Sequence, residues 1–438
     1  MWVNLMSTDN YKLSEAGLIP KEWDTKKLKE LLYIKGRIGW KGLQKSEFGS
    51  DGALIINGPE INDGKVDWNK CLRVPKWRYD ESPEIAVKEN DILMTKDGTI
   101  GKVAFLDHLA ESATLASGIF LIRIEDPTML DQKFFFQYLK SQIFKELVRS
   151  RTEGSVIPHL YQRDIEELYV PLPPIIEQRL IGHLLSNLDQ KIELNQQMNK
   201  TLESIAQALF KHWFIDFEFP DENGNPYKSS GGEMVDSELG EIPKGWFIRK
   251  LDGIANFLNG LALQKYPAVS EEEYLPVIKI REMNSGISES SDKASFNIPQ
   301  EYVVDNGDIL FAWSGSLGVT IWCNGKGALN QHLFKVSSKE YPKWFYYQWL
   351  MHYLPDFIEI ARDKATTMGH IQRHHLSKST VVVPDSSTLE TMNKIFNPIV
   401  GRIINLKVEN DTLTKARDLL LPKLISGKIR VPLEDTNA

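Results

Sequence analysis

Ser14-Glu15-Ala16-Gly17-Leu18-Ile19-Pro20-Lys21-Glu22-Trp23 returns as Ser237-Glu238-Leu239-Gly240-Glu241-Ile242-Pro243-Lys244-Gly245-Trp246, seven identities in ten at an offset of 223. Agreement of that length marks an internal repeat, and a repeat constrains the fold before any single element does. Further on, Asn90-Asp91-Ile92-Leu93 with Gly98-Thr99-Ile100-Gly101 matches Gly307-Asp308-Ile309-Leu310 with Gly315-Ser316-Leu317-Gly318 at an offset of 217. His159-Leu160 through Val170 and Pro173 then matches His370-Ile371 through Val381 and Pro384 at an offset of 211. The shrinking offset means that the second copy has lost loop residues. Half of 438 is 219, so the chain is close to two copies of one unit, which suits a partner with two similar sites.

Within each copy the texture changes once. From Trp23 to Pro173 and from Trp246 to Pro384, short apolar or alternating runs are broken by Gly, Pro, Asn and Asp, as in Ala53-Leu54-Ile55-Ile56-Asn57-Gly58-Pro59. That pattern predicts mostly strands. Lys133-Phe134-Phe135-Phe136-Gln137-Tyr138-Leu139 and Lys343-Trp344-Phe345-Tyr346-Tyr347-Gln348-Trp349-Leu350 have helical length, and their aromatics are expected in the core rather than as base-stacking platforms.

After Pro173 and Pro384 come runs of about 36 residues almost free of Gly and Pro, which predict long helices. Ile181, Leu185, Leu188, Ile192, Asn195, Asn199, Leu202, Ala206 and Leu209 are spaced alternately by four and three, and adding 211 gives Met392, Phe396, Ile399, Ile403, Leu406, Asn410, Leu413, Arg417 and Leu420. A mean spacing of 3.5 predicts a coiled-coil stripe, with Asn199 and Asn410 at seam positions where a buried amide fixes register. The expected fold class is α+β: two pseudo-twofold related, strand-rich α/β domains separated by two long antiparallel coiled-coil helices. The expected divisions are a first domain over 1–173, a spacer helix over 174–212 and an acidic linker over 213–236. A second domain over 237–384, a spacer helix over 385–425 and a tail over 426–438 complete the chain.

Composition is that of globular protein, 42% hydrophobic and 25% charged. No apolar run approaches the ~20 residues of a membrane span, and the start lacks a signal peptide's basic flank and apolar core. Cys71 and Cys323 stand far apart, which fits a reducing, cytoplasmic setting. The net charge of −7 lies wholly between Trp213 and Glu241, where eight carboxylates face Lys228 alone. Residues 24–50 carry a net +4, so overall acidity does not exclude a basic groove.

Most catalytic signatures are missing from the sequence, including Gly-x-Gly-x-x-Gly, the Gly-x-x-x-x-Gly-Lys-Ser/Thr loop, His-Glu-x-x-His and Gly-x-Ser-x-Gly. Asn225-Pro226-Tyr227 lacks the second proline of an amino-methyltransferase loop and reads as a turn. His370, His374 and His375 have no carboxylate or thiol at a spacing that completes a metal shell. Gly98-Thr99-Ile100-Gly101-Lys102 reads as a tight hairpin, because the copy at Gly315 has Val319 in place of the lysine.

The repeated Ile-Pro-x-x-Trp, the Gly-Ser/Thr-x-Gly hairpins and Pro171-Leu172-Pro173-Pro174-Ile175-Ile176-Glu177-Gln178 resemble the DNA-specificity (S) subunit of type I restriction-modification systems over the whole chain. The ends Leu209-Phe210-Lys211-His212-Trp213-Phe214-Ile215-Asp216-Phe217 and Leu419-Leu420-Leu421-Pro422-Lys423-Leu424-Ile425-Ser426-Gly427-Lys428-Ile429 are similar to that family's two helix endings. The second helix departs at its start, where Pro384-Asp385-Ser386-Ser387-Thr388-Leu389-Glu390 replaces the double proline and Glu-Gln.

The resemblance implies a non-catalytic subunit that binds no cofactor and reads double-stranded DNA, each domain taking one half of a bipartite, asymmetric site. It implies two copies of an adenine methyltransferase and translocase-nuclease subunits as partners, which would use S-adenosylmethionine, ATP and Mg2+. Phosphate contacts call for Lys or Arg and small polar groups, and base edges for Arg, Asn, Gln, Ser or Thr. In the first domain those requirements select Arg37, Trp40, Lys41, Lys96, Thr99, Lys102, Ser155, His159 and Gln162. The matching set in the second is Gln264, Lys265, Ser314, Ser316, Thr366, Thr367, His370 and Arg373. The competing readings are a duplicated coiled-coil adaptor that binds only protein, which leaves the basic loops unexplained, and a self-contained DNA methyltransferase or nuclease, whose motifs are missing.

Overall fold

The computed structural model describes residues 10–37, 44–152, 159–363 and 369–432. The chain divides into two compact units, residues 1–191 with 414–438, and residues 192–413.

In the first unit, strand Asp24–Lys27 pairs antiparallel with Tyr169–Leu172, so the start and the end of the domain lie side by side. Between them a four-stranded sheet runs in the order Val103–Phe105, Ile92–Thr95, Ile119–Ile124 and Leu32–Gly36. A second sheet joins Ala113–Leu115, Ala53–Ile56 and Leu72–Val74. The central strand Ile92–Thr95 is buried along its whole length because the larger sheet is covered on both faces. Alternate residues Ile92, Met94, Phe120 and Ile122 pack with Phe134, Phe135 and Tyr138 of helix Gln132–Lys140. Leu93, Ile119 and Leu121 point the other way, into Leu54, Ile56, Ala113 and Leu115 of the second sheet. The aromatics of the short helix are therefore core, as their spacing predicts.

The second unit repeats the plan. Phe247–Lys250 pairs with Thr380–Val383. One sheet runs Asn256–Asn259, Leu333–Ser337, Ile309–Ala312 and Gly318–Ile321, and the other Lys293–Ser295, Tyr274–Ile278, Gly327–Leu329 and Val303–Val304. Ile309 and Phe311 face the aromatic cluster of helix Lys343–Asp363, while Leu310 and Ala312 face Ile278 and Leu329.

Both long helices are present, Ile175–Phe210 and Ser386–Ile425. The first turn of the first helix is anchored by Gln178, whose side chain accepts from the Asp131 amide at 2.9 Å and donates to the Met129 and Pro173 carbonyls at 3.0 and 2.8 Å. Where the second copy lacks the Glu-Gln pair, Asp385 caps the helix by accepting from the Ser387 and Thr388 amides, both at 3.0 Å. The two helices run antiparallel within each unit. In the first, Arg417 donates to Asp189 at 3.0 Å. In the second, Asn410 donates to the Ile192 carbonyl at 3.1 Å, and Lys407 pairs with Glu203 at 3.0 Å. Seam residues Ile181, Leu185, Asn195, Asn199, Ala206, Phe396, Ile403 and Leu406 are buried.

The helix ends land on the repeated tryptophans. A π-helical turn, Lys211–Ile215, follows the first helix, and Phe214, Phe217 and Phe219 surround Trp246, with the Phe219 ring stacked on it at 4.7 Å. These aromatics begin the stretch expected to be an acidic linker. Asp216 and Glu218 alternate with them, so charge counting hides an apolar plug. After the second helix, Gly427 takes φ +71°, and a Cβ there would lie 2.4 Å from Pro20. Arg430 holds Glu177 at 2.6 Å, and Glu177 also accepts from the Trp23 indole at 3.2 Å. Asn225-Pro226-Tyr227 is a turn, with Asp221 accepting from the Asn223 and Asn225 amides at 2.8 Å.

Candidate nucleic-acid interface

In the first unit the glycine hairpin joins Ile92–Thr95 to Val103–Phe105. Gly98 and Gly101 take φ of +68° and +83°, values that favour glycine, and the Thr95 hydroxyl closes the turn by donating to the Thr99 carbonyl. Thr99 is left exposed, and Lys96 and Lys102 half-buried. The Lys96 ammonium sits 5.0 Å from the Phe120 ring centroid, and Lys102 donates to Asn62 at 3.2 Å. The loop around His159 docks on this turn: Asp97 and His159 form a β-bridge, the Leu160 amide donates to the Lys96 carbonyl at 3.1 Å, and the His159 ring pairs with the Asp97 carboxylate. Gln162 donates to Glu166 at 2.6 Å.

The second unit joins the same two loops by the same bridge. Ser314 pairs with His370, the Gly315 amide donates to the Gly369 carbonyl at 2.9 Å and the Ile371 amide to the Trp313 carbonyl at 3.0 Å. Ser316 and His370 are exposed, and Ser314 is nearly buried, its hydroxyl 3.1 Å from His332 Nδ1. Gln264 and Lys265 are exposed on the turn Leu263–Lys265. Gln264 also lines a cleft of about 310 Å³ with Lys279, Lys293 and Asn330. Arg373 donates to the Phe257 carbonyl at 3.1 Å and lies over the Phe334 ring.

Arg37 differs from the others. Its side chain is 1% exposed, and it donates to the Leu115 carbonyl at 2.8 Å, to Thr114 at 3.4 Å and to Glu81 at 3.3 Å. A guanidinium so placed joins strand Leu32–Gly36 to strand Ala113–Leu115 and presents nothing to a phosphate. The positive charge of residues 24–50 is reduced in the same way. Lys27 and Lys29 both donate to Glu167, and those bonds hold its carboxyl down at about 2. Trp40, Lys41, Ser155, Thr366 and Thr367 lie outside the described residues.

Several polar groups at these loops escape a reading by residue type. Trp313 donates to Asn259 at 3.0 Å, and Asn330 accepts from the His332 amide at 3.3 Å. Their signal is positional: Asn330-Gln331-His332 replaces Ala116-Ser117-Gly118 at an offset of 214, three polar residues at the end of an apolar strand. In the first unit, exposed Tyr161 and Arg163 flank His159 and Gln162. Among the described residues no group of His, Cys, Asp and Glu could hold a metal ion, and no helix is long and apolar enough to cross a membrane.

A family model described as the type I restriction modification DNA specificity domain matches residues 20–204 and 243–415, well over half of the chain. The MjaIX specificity subunit of a type I restriction enzyme from Methanocaldococcus jannaschii is 27% identical, with 96% of each chain covered. The HindI specificity subunit from Haemophilus influenzae is 23% identical over 84% of this chain and 94% of its own. Among solved structures, the S subunit of a type I restriction-modification system from M. genitalium aligns over 92% of this chain and 96% of its own with a TM-score of 0.58 at 18% identity, which shows a shared fold.

Proposed function

Because the chain belongs to the type I restriction-modification DNA specificity family and carries two copies of its domain, we propose that each domain reads one half of a bipartite, asymmetric site in duplex DNA. The subunit is non-catalytic and binds no cofactor. Its long helices set the distance between the half-sites and dock two adenine methyltransferase subunits and the translocase-nuclease subunits, which supply S-adenosylmethionine, ATP and Mg2+ chemistry. The methyltransferase has to extrude its target adenine from the stack, and the specificity subunit keeps the duplex in register meanwhile.

The observation that carries this reading is the repeated junction. In both units the glycine hairpin and the histidine loop are tied by a backbone bridge, Asp97 to His159 and Ser314 to His370. Backbone ties fix the frame, and the side chains on it differ between the copies. Two readers of one design with different surface groups suit two half-sites of different sequence.

The binding term is tested on the chain purified together with its adenine methyltransferase. Affinity for a duplex is expected to fall linearly with the logarithm of salt concentration, as phosphate contacts release counterions. A complex that forms but binds duplex at no salt concentration contradicts the reading.

A further inference from the structure

Tyr161 is 55% exposed, a large ring beside the hairpin junction. Its position is set by its neighbours. Its ring meets the edge of the His159 ring at 4.6 Å between centroids, and His159 is itself paired with Asp97 and bridged to it through the backbone. The Tyr161 amide donates to Asp164 at 3.1 Å. Above the ring, 5.6 Å from its centroid, lies the guanidinium of Arg163, whose side chain is 83% exposed. Asp164 stands 3.8 Å from that guanidinium, too far for a strong hydrogen bond, so most of its donors remain open to an acceptor.

We propose that Tyr161 and Arg163 form a base-reading contact of the first domain, in which the tyrosine ring orients the guanidinium fork toward the O6 and N7 acceptors of a guanine in the major groove. The inference rests on the DNA-reading function proposed above and names the residues that set one base of it. An exposed arginine on a flexible stem contacts phosphate as readily as a base. One drawn toward a ring by cation–π attraction loses less freedom when it makes a paired contact, and guanine offers the paired acceptors that a fork fits. The second copy carries Gln372 and His374 at the corresponding positions, offset 211. The same frame therefore presents different chemistry, and this contact belongs to one half-site only.

The test maps methylated adenines genome-wide for the complex of this chain with its methyltransferase, comparing the wild type with Arg163→Lys, Tyr161→Ala and Tyr161→Phe. Arg163→Lys keeps the charge and loses the fork. It and Tyr161→Ala are expected to relax one guanine position in one half-site by roughly 5- to 100-fold, with the other half-site unchanged. Tyr161→Phe keeps the ring and the wild-type motif. Thermal unfolding within a degree or two of wild type separates lost recognition from lost folding. An unchanged motif in both Arg163→Lys and Tyr161→Ala overturns the proposal, as does an even loss across both half-sites, which is the mark of a phosphate contact. A wild-type complex that marks no bipartite site overturns the parent reading before any variant is compared.

Discussion

Arg37→Ala is expected to destabilise the first domain rather than to change what it reads. The guanidinium donates to Leu115, Thr114 and Glu81 from a buried position, and removing it leaves the Leu115 carbonyl and the Thr114 hydroxyl without that donor, while Glu81 keeps Arg78. A loss of about 2 kcal/mol in urea denaturation is expected, with the methylation motif unchanged wherever the protein remains folded. A large change of motif without loss of stability contradicts this. The sequence shows a basic stretch and invites a phosphate contact at Arg37. What it does not show is that a strand more than 70 residues away brings a carbonyl within 2.8 Å. By contrast, the Gly98 and Gly101 hairpin is legible, since two glycines between apolar runs supply the positive φ that a tight turn needs at no steric cost.

Asp189 ties the first long helix to Arg417 of the second and to Gln137 and Lys140 of helix Gln132–Lys140. Burial pushes its carboxyl up, but Lys140, Gln137 and Arg417 together outweigh burial and hold it below its ordinary value of 3.8. A depressed folded value means that the contribution is complete at neutral pH. It declines as pH drops through the unfolded value and is gone below the folded one. Asp189→Asn is expected to cost about 1 to 2 kcal/mol at pH 7 and to flatten the pH dependence of stability below about pH 4, measured by urea titration across pH. An equal loss at pH 7 and at pH 2.5 contradicts the assignment. The helices themselves are legible in the 3.5-residue spacing, and so are the seam asparagines. Where each helix ends up is not, because Phe217 and Phe219 alternate with Asp216 and Glu218 and the run reads as charge. Only the contact with Trp246 shows that the segment is core.

For the whole molecule, the repeat is the most legible feature, since matched motifs at offsets of 223, 217 and 211 need no structure to be seen. The groups that distinguish the two readers are the least legible. They sit on loops whose side chains differ between copies, and a residue type alone does not say whether a donor is already taken, as Arg37 shows. The proposed spacing role makes a quantitative claim. Seven residues added to each long helix at paired positions keep the phase of the seam and add about 10.5 Å, or about three base pairs, to the gap between half-sites. A methylation motif whose gap is unchanged by that insertion rules out the helices as the spacer.

The most direct test of two-site reading is to purify the chain with its adenine methyltransferase and map the methylated adenines of genomic DNA by single-molecule sequencing. Two-site reading predicts one asymmetric motif, two specified half-sites separated by a fixed unread gap, with an adenine marked in each. A contiguous or palindromic motif, or no methylation from a complex that forms, would contradict it.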